Sequence, residues 1–130
     1  MRYIRCVFLL IACALLLAAC QAGVRPDAVT GIYYLTSVDG APIPGNVTHD
    51  GVDLFISSGT FIISADGTCL SVTDFAPPGG DTMRREVHAK YVVEDGRLAM
   101  TWEGAGVTHG SVDGDTFTMD NHGMIMEYRR

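Results

Sequence analysis

Beyond residue 30, apolar residues recur at every second position of the chain rather than at every third or fourth. This alternation is typical of β-strands with one buried face, because successive side chains of a strand point to opposite sides. The clearest example runs from Met83 to Val93. Its odd positions are apolar apart from Arg85, and its even positions, predicted to face solvent, include Arg84, Glu86, His88 and Lys90.

Similar stretches cover most of the remaining chain. Each is short, and several are rich in aromatic and β-branched residues, which favour strands. They lie at 31–38, 52–57, 60–64, 68–75, 98–102, 117–119 and 124–128. No stretch after Cys20 repeats its apolar residues with the period of about 3.6 that a helix requires. The pattern therefore predicts eight or nine short β-strands and an all-β domain.

Turn-forming residues separate these stretches. Further breaks are predicted as a turn at Ser58-Gly59, a loop around 42–50 and a Pro- and Gly-rich loop at 76–80. Consecutive hairpins either close into a barrel or leave bare edges prone to pairing with other chains. We therefore expect a small antiparallel up-and-down barrel. Asp-Gly, the strongest short hairpin signal between alternating apolar runs, occurs at Asp39-Gly40, Asp50-Gly51, Asp66-Gly67, Asp95-Gly96 and Asp113-Gly114.

The first twenty residues differ from the rest. Arg2 and Arg5 precede an unbroken apolar run at 6–17. As a helix, this run would span only about 18 Å, whereas a membrane core is about 30 Å thick and needs about 20 residues. The segment is thus typical of a cleavable signal helix rather than of a transmembrane anchor.

The end of this segment, Leu17-Ala18-Ala19-Cys20, resembles the lipobox of bacterial lipoproteins. The resemblance implies that Cys20 is the lipid attachment site, carrying diacylglycerol and an N-terminal acyl chain such as palmitate. Because each buried methylene contributes about 0.8 kcal/mol, two or three chains hold a protein on a membrane. Gln21 stands where an Asp would resemble an inner-membrane retention signal. We therefore expect a periplasmic domain anchored to the outer membrane of the bacterial envelope.

The chain divides into three predicted segments. Residues 1–19 form the lipoprotein signal peptide, and 20–29, small and polar with Pro26, form a lipidated tether. Residues 30–130 form the β-barrel domain. A chain of 130 residues that is 48% apolar leaves no room for a second domain of ordinary size.

The charge of the chain narrows the choice of partners. Acidic residues outnumber basic ones 15 to 9, and removal of Arg2 and Arg5 with the signal peptide changes the net charge from −6 to −8. Such a chain lacks the cationic surface that would neutralise phosphates. We expect no nucleic acid partner, and we expect the membrane to be reached through the lipid on Cys20.

Two parts of the domain resemble bacterial lipocalin-like lipoproteins of unassigned function. The first opens with Gly31-Ile32-Tyr33 within 31–44, and the second lies within 114–130. The resemblance implies a lipocalin-like barrel whose first and last strands pair. In lipocalins, the aromatic residue of a Gly-Xaa-Trp motif packs against a late arginine. Tyr33 stands at that aromatic position, so the resemblance implies that it packs against Arg129 or Arg130.

No motif in the chain indicates catalysis. A Gly-Xaa-Ser-Xaa-Gly elbow is absent, and the four histidines lack the close spacing of a zinc motif. We therefore predict no enzyme, no metal and no cofactor. Among the cysteines, Cys6 and Cys13 leave with the signal peptide and Cys20 carries lipid, so Cys69 is predicted to be a buried, unpaired thiol. The histidines, predicted to be solvated, are His49, His88, His109 and His122.

Five methionines in the second half of the domain allow two interpretations. Thioethers in an envelope protein are ligands for copper(I). They also fill irregular gaps in apolar cores. Most of them share a predicted strand face with Leu98, Trp102, Phe117 or Tyr128, which favours core filling. The five are Met83, Met100, Met119, Met124 and Met126.

Two functions fit such a domain. In the first, the barrel binds a small apolar ligand. In the second, the barrel is filled and the lipoprotein interacts with an envelope protein or maintains the envelope. Eight strands are near the size at which side chains fill the interior, so a void of about 300 Å³ or more would favour the first function. Its candidate lining residues are Tyr33, Tyr91, Trp102 and Tyr128.

Overall fold

A computed structural model describes residues 26–130 of the chain. The predicted signal peptide and the predicted lipid attachment site Cys20 lie outside the described residues. No helix in the described part is long and apolar enough to cross a membrane. The elements are α1 (Pro26–Val29), β1 (Gly31–Val38), β2 (Ala41–Pro42), β3 (Gly45–His49), β4 (Val52–Ile63), β5 (Thr68–Ala76), β6 (Met83–Glu94), β7 (Arg97–Trp102), β8 (Gly106–Asp113), β9 (Thr116–Asn121) and β10 (Met124–Arg129).

All of these strands belong to one antiparallel sheet that closes on itself. From β4 to β10, each strand pairs with the next one in sequence; β10 then pairs with β1, and β1 pairs with β4. These eight strands form an up-and-down barrel, to which β2 and β3 are added. The predicted fold class is confirmed, and the closed barrel of eight antiparallel strands is consistent with a lipocalin-like fold.

The two ends of the barrel close differently because of how β1 and β4 pair. Residues 31–34 of β1 are hydrogen-bonded to 60–63 of β4. Further along, β1 pairs with β2 instead, and the first half of β4 pairs with β3. The two barrel strands therefore join directly near one end only, and β2 and β3 lie between them toward the other.

The Asp-Gly pairs fall between consecutive strands, as predicted. In Asp39-Gly40, Asp50-Gly51 and Asp95-Gly96, both residues have positive φ, between 48° and 79°. Positive φ at both central residues defines the type I′ turn, whose twist matches that of the strands it joins. The turn His122-Gly123 between β9 and β10 has the same feature, with φ values of 52° and 92°. Its sequence lacks the Asp-Gly pattern, and it was not predicted.

Two predicted breaks in the strand pattern are wrong. No turn forms at Ser58-Gly59, because β4 runs through it with only a shift of register against β5. A Cβ atom on Gly59 would lie 2.8 Å from the Leu35 side chain, so the glycine permits close packing with β1. The predicted loop around 42–50 contains β3, whose Val47 is buried. This strand forms because β4 extends beyond its pairing with β1.

A ring cluster fills the end of the barrel where β1 meets β4. Its four rings are fully buried, with 0% exposure, and their centroids lie 4.7–5.7 Å apart where they pack. We call this the closed end. Its rings belong to Tyr33, Phe61, Phe117 and Tyr128.

The start of the described chain packs against this end. The predicted tether ends in α1, whose Val29 is buried, and the Tyr33 hydroxyl donates a hydrogen bond of 2.8 Å to the Val29 carbonyl oxygen.

The thiol of Cys69 is buried and free, as predicted, and burial raises its pKa to about 12. It therefore remains a neutral core group at physiological pH.

The methionines follow the predicted core pattern with one correction. Met100, Met119 and Met126 are buried, and Met124 packs against the core at its margin. Met83 is 48% exposed. The physical reason is that Met83 starts β6 in the part that pairs with β5 but extends beyond β7.

Candidate functional site

Arg130 covers the closed end. Its guanidinium lies 5.3 Å from the centre of the Tyr33 ring and donates hydrogen bonds to the carbonyl oxygens of Thr30, at 2.8 Å, and Gly114, at 3.0 Å. The predicted partner of Tyr33 is thus Arg130 rather than Arg129. Because Tyr128 points inward, strand alternation directs Arg129 outward and Arg130 back toward the barrel.

The opposite end contains a cavity that opens to solvent. Its volume is about 550 Å³, within the range of about 300–1,000 Å³ that is usual for small-molecule sites. The wall is mainly apolar. Its apolar side chains include Leu54, Ile56, Val87, Trp102, Met119 and Met126.

The sequence leaves this end unfilled because small or polar residues occupy its inward positions. The cross-strand partner of Phe61 on β5 is Ser71, so a buried ring stands beside a small hydroxyl. One step nearer the opening, Gly59, Thr73 and Arg85 are cross-strand neighbours on β4, β5 and β6. None of these three supplies the bulk of an aromatic ring, and the interior stays open.

Polar groups inside the cavity have partners. The indole nitrogen of Trp102 donates a hydrogen bond of 2.7 Å to the hydroxyl of Thr108, which is 3% exposed. At the closed end, the hydroxyl of Tyr128 donates to the Met126 sulfur at 3.8 Å, and burial raises the pKa of this tyrosine. Among the described residues, no buried side-chain nitrogen or oxygen lacks a hydrogen-bond partner.

A small charge network borders the opening. His49 Nδ1 lies 3.0 Å from an Asp39 carboxylate oxygen, and its Nε2 lies 3.3 Å from Asp50. The other Asp39 oxygen accepts a hydrogen bond of 2.8 Å from the Ile125 amide. This amide bond and the contact with His49 lower the pKa of Asp39. The network therefore links the β3–β4 turn to β1 and β10.

Two of the four histidines, His49 and His122, line the cavity. In the part of the chain that the structure describes, no three His, Cys, Asp or Glu side chains are grouped so that they could hold a metal ion. His88 and His109 are exposed on other strands, in agreement with the prediction that they are solvated.

Arg85 differs from the other residues of the cavity wall in its charge. Among the described residues that line the cavity, it is the one lysine or arginine, and the ion pairs of the described chain do not include it. Its neighbour Arg84 points outward and forms two hydrogen bonds with Asp74, at 2.8 and 2.9 Å. Strand alternation places Arg85 on the inward face, and this signal in the sequence could have identified it as a site residue.

The four predicted lining residues do not come together in this cavity. Trp102 is in the wall. Tyr33 and Tyr128 belong to the closed end, and Tyr91 is buried with its hydroxyl donating to the Ser64 carbonyl oxygen at 2.7 Å. All four point inward, but alternation does not specify how far along the barrel axis a residue lies.

Comparisons with protein-family models, curated proteins and solved structures produced no match to this chain. The functional argument therefore rests on the geometry and chemistry of the cavity.

Proposed function

We propose that this protein is a lipid-anchored lipoprotein of the bacterial envelope, at the outer membrane, whose barrel binds a small apolar ligand. The observation that carries the proposal is the open, mainly apolar cavity of about 550 Å³. Binding of this kind needs no catalytic group and no cofactor. The resemblance of residues 31–44 and 114–130 to lipocalin-like lipoproteins supports the same role.

The size of the cavity favours a ligand over a self-filled barrel. A molecule that buries about 200 Å² of apolar surface gains about 5 kcal/mol at about 25 cal/mol per Å². That gain is enough to offset part of the cost of immobilising the ligand. An unoccupied apolar wall of this size would instead remain in contact with water.

The test is to look for a ligand and then to block its site. Native mass spectrometry of the protein from its own host should detect a bound small molecule. The variant Val87→Trp places a large side chain in the cavity, whereas Val92→Trp makes the same change on the outer face of β6, where Val92 is 55% exposed. We expect Val87→Trp to lose the ligand and Val92→Trp to keep it. Equal occupancy in both variants would contradict the proposal.

The proposed anchor is tested at Cys20, which lies outside the described residues. Fractionation should find the wild-type protein in the outer membrane and the Cys20→Ala variant no longer processed and anchored there. Cys69→Ala, which removes a buried thiol from the domain, is the matched control and should remain anchored. If Cys20→Ala is still cleaved before residue 20 and stays in the membrane fraction, the lipid anchor is disproved.

A second candidate function, interaction with an envelope protein, is favoured by the outer face of β1. Ile32 and Tyr34 are 49% and 59% exposed, and Ile32 is the cross-strand partner of Ile62. Contiguous apolar residues on a surface are typical of interaction sites. A photo-crosslinker at residue 34 should then capture a specific envelope protein, whereas one at Val107, also exposed but on β8, should not.

A further inference from the structure

We infer that the ligand of the cavity is a single-chain amphiphile with an anionic oxygen headgroup, a carboxylate or a phosphate, bound by Arg85. This inference rests on the proposed function, because it requires that the cavity binds a ligand. It adds the chemical class of that ligand and the residue that selects it.

The placement of Arg85 carries the inference. Arg85 is solvent-exposed on the part of β6 that extends beyond β7, and it is one of the residues that line a mainly apolar cavity, in the row of Gly59 and Thr73. A guanidinium presents a planar fork of N–H donors that fits a carboxylate or a phosphate with two hydrogen bonds. In the described chain, this guanidinium has no carboxylate in an ion pair. An anionic ligand would supply one.

Among the charged side chains of the described cavity wall, Arg85 is the one available to bind an anionic headgroup. Asp50 is the carboxylate of the cavity wall, and its side chain already contacts His49 at 3.3 Å. The other ionisable side chains of the wall are the imidazoles of His49 and His122, which carry no negative charge. The chain has a net charge of −6, so a cationic group in the wall of an apolar cavity is unusual for it. Such a group attracts a ligand of negative charge.

The apolar groups lie where the chain of such a molecule would extend. Beyond the row of Arg85, the wall continues with Val87, Trp102, Met119 and Met126. Methionine side chains adapt to flexible alkyl chains because they are unbranched and polarisable. The cavity thus has one cationic position near its opening and an apolar interior, the arrangement that complements an amphiphile.

Four probes with the same ten-carbon chain test the inference: decanoate, decyl phosphate, decanol and decylamine. Their dissociation constants are measured on the full domain by displacement of a fluorescent apolar probe. We expect either anion to bind wild-type protein at least tenfold more tightly than decanol or decylamine, since hydrogen bonds to charged groups are strong. The tighter of the two anions identifies the headgroup.

The matched variants are Arg85→Gln and Arg97→Gln, which remove the same charge. Arg97 is exposed at the start of β7 and does not line the cavity. Arg85→Gln should weaken binding of the preferred anion at least tenfold and of decanol less than twofold. Arg97→Gln should change neither more than twofold, and Arg85→Lys should restore part of the affinity. Thermal melting of each variant verifies that the domain is folded.

The outcomes separate this inference from the proposed function. If decanol or decylamine binds as tightly as the anions, or if Arg85→Gln leaves anion binding unchanged, the inference is overturned while the proposed function stands. If none of the four probes displaces the fluorescent probe and Val87→Trp does not affect its binding, both the inference and the proposed function fail.

Discussion

The closed and open ends of this barrel are built from the same alternating strands but carry different side chains. At the closed end, four fully buried rings contact one another, and Arg130 donates hydrogen bonds to backbone carbonyls and forms an ion pair with Asp115 at 3.4 Å. At the open end, the inward positions include Ser71, Thr73 and Arg85, and Arg85 has no ion-pair partner in the described chain. One end stabilises the fold, and the other leaves volume and charge available for binding.

The comparison separates two uses of an inward-facing residue. A buried ring contributes to the free energy of unfolding, because its removal leaves a cavity that the neighbours cannot fill. A residue that borders an existing cavity loses fewer contacts when it is truncated. Variants at the closed end should therefore reduce stability, whereas variants at the open end should change binding.

The largest expected effect is at Phe117, which contacts three other rings of the closed end. Phe117→Ala should lower the free energy of unfolding by about 3–5 kcal/mol, the usual cost of emptying a core position occupied by phenylalanine. Phe75→Ala, the same change in the partly exposed cavity wall, should cost less than half as much. Urea denaturation of both variants measures the difference. Equal losses would show that the open end is packed as a core.

The next effect concerns Arg130, whose guanidinium joins the chain end to Thr30, Gly114 and the Tyr33 ring. Arg130→Gln should lower the free energy of unfolding by about 1–3 kcal/mol, because charged hydrogen bonds and a cation–π contact are lost together. Arg129→Gln removes the same charge from the outer face and should change it by less than about 0.5 kcal/mol. Thermal melting of the two variants measures this difference in stability. Identical melting temperatures would exclude a stabilising role for Arg130.

The smallest expected effects are changes of stability with pH. The closed end loses stability at high pH, and the open end loses it at low pH. Burial raises the pKa of Tyr33 and Tyr128 at the closed end. The folded state therefore keeps these hydroxyls protonated, and the stability this provides is complete below about pH 10 and is lost as pH rises further. Tyr128→Phe should accordingly reduce the loss of stability between pH 10 and 12.

At the open end, the pKa of Asp39 is lowered by its bonds to Ile125 and His49. The stability from this carboxylate is present above about pH 4 and is lost as pH falls through its lowered pKa. Asp39→Asn should therefore flatten the stability curve between pH 5 and 2. Other carboxylates with lowered pKa, Asp66 and Asp74, titrate in both proteins, so the difference curve isolates Asp39. Parallel curves would contradict this assignment.

Local patterns in the sequence were sufficient for most strands, the faces of their residues and most turns, but β3 and β8 were not predicted and β4 was divided in two. Asp95-Gly96 forms its hairpin because Asp and Gly tolerate the positive φ values that the turn requires. The break predicted at Ser58-Gly59 is wrong for a nonlocal reason, since the glycine there accommodates Leu35 from β1. No property of residues 58 and 59 alone distinguishes a turn from such a close approach.

The sequence by itself determined that the domain is all-β, that its hairpins follow one another, and that residues such as Tyr33, Arg85 and Trp102 face the interior. These properties depend on a period of two residues and on turn chemistry, both of which are local. Only the tertiary structure decided that Tyr33 closes one end while Arg85 and Trp102 line a cavity at the other. The position of a residue along the barrel axis depends on the register between strands distant in sequence, and alternation carries no information about that register.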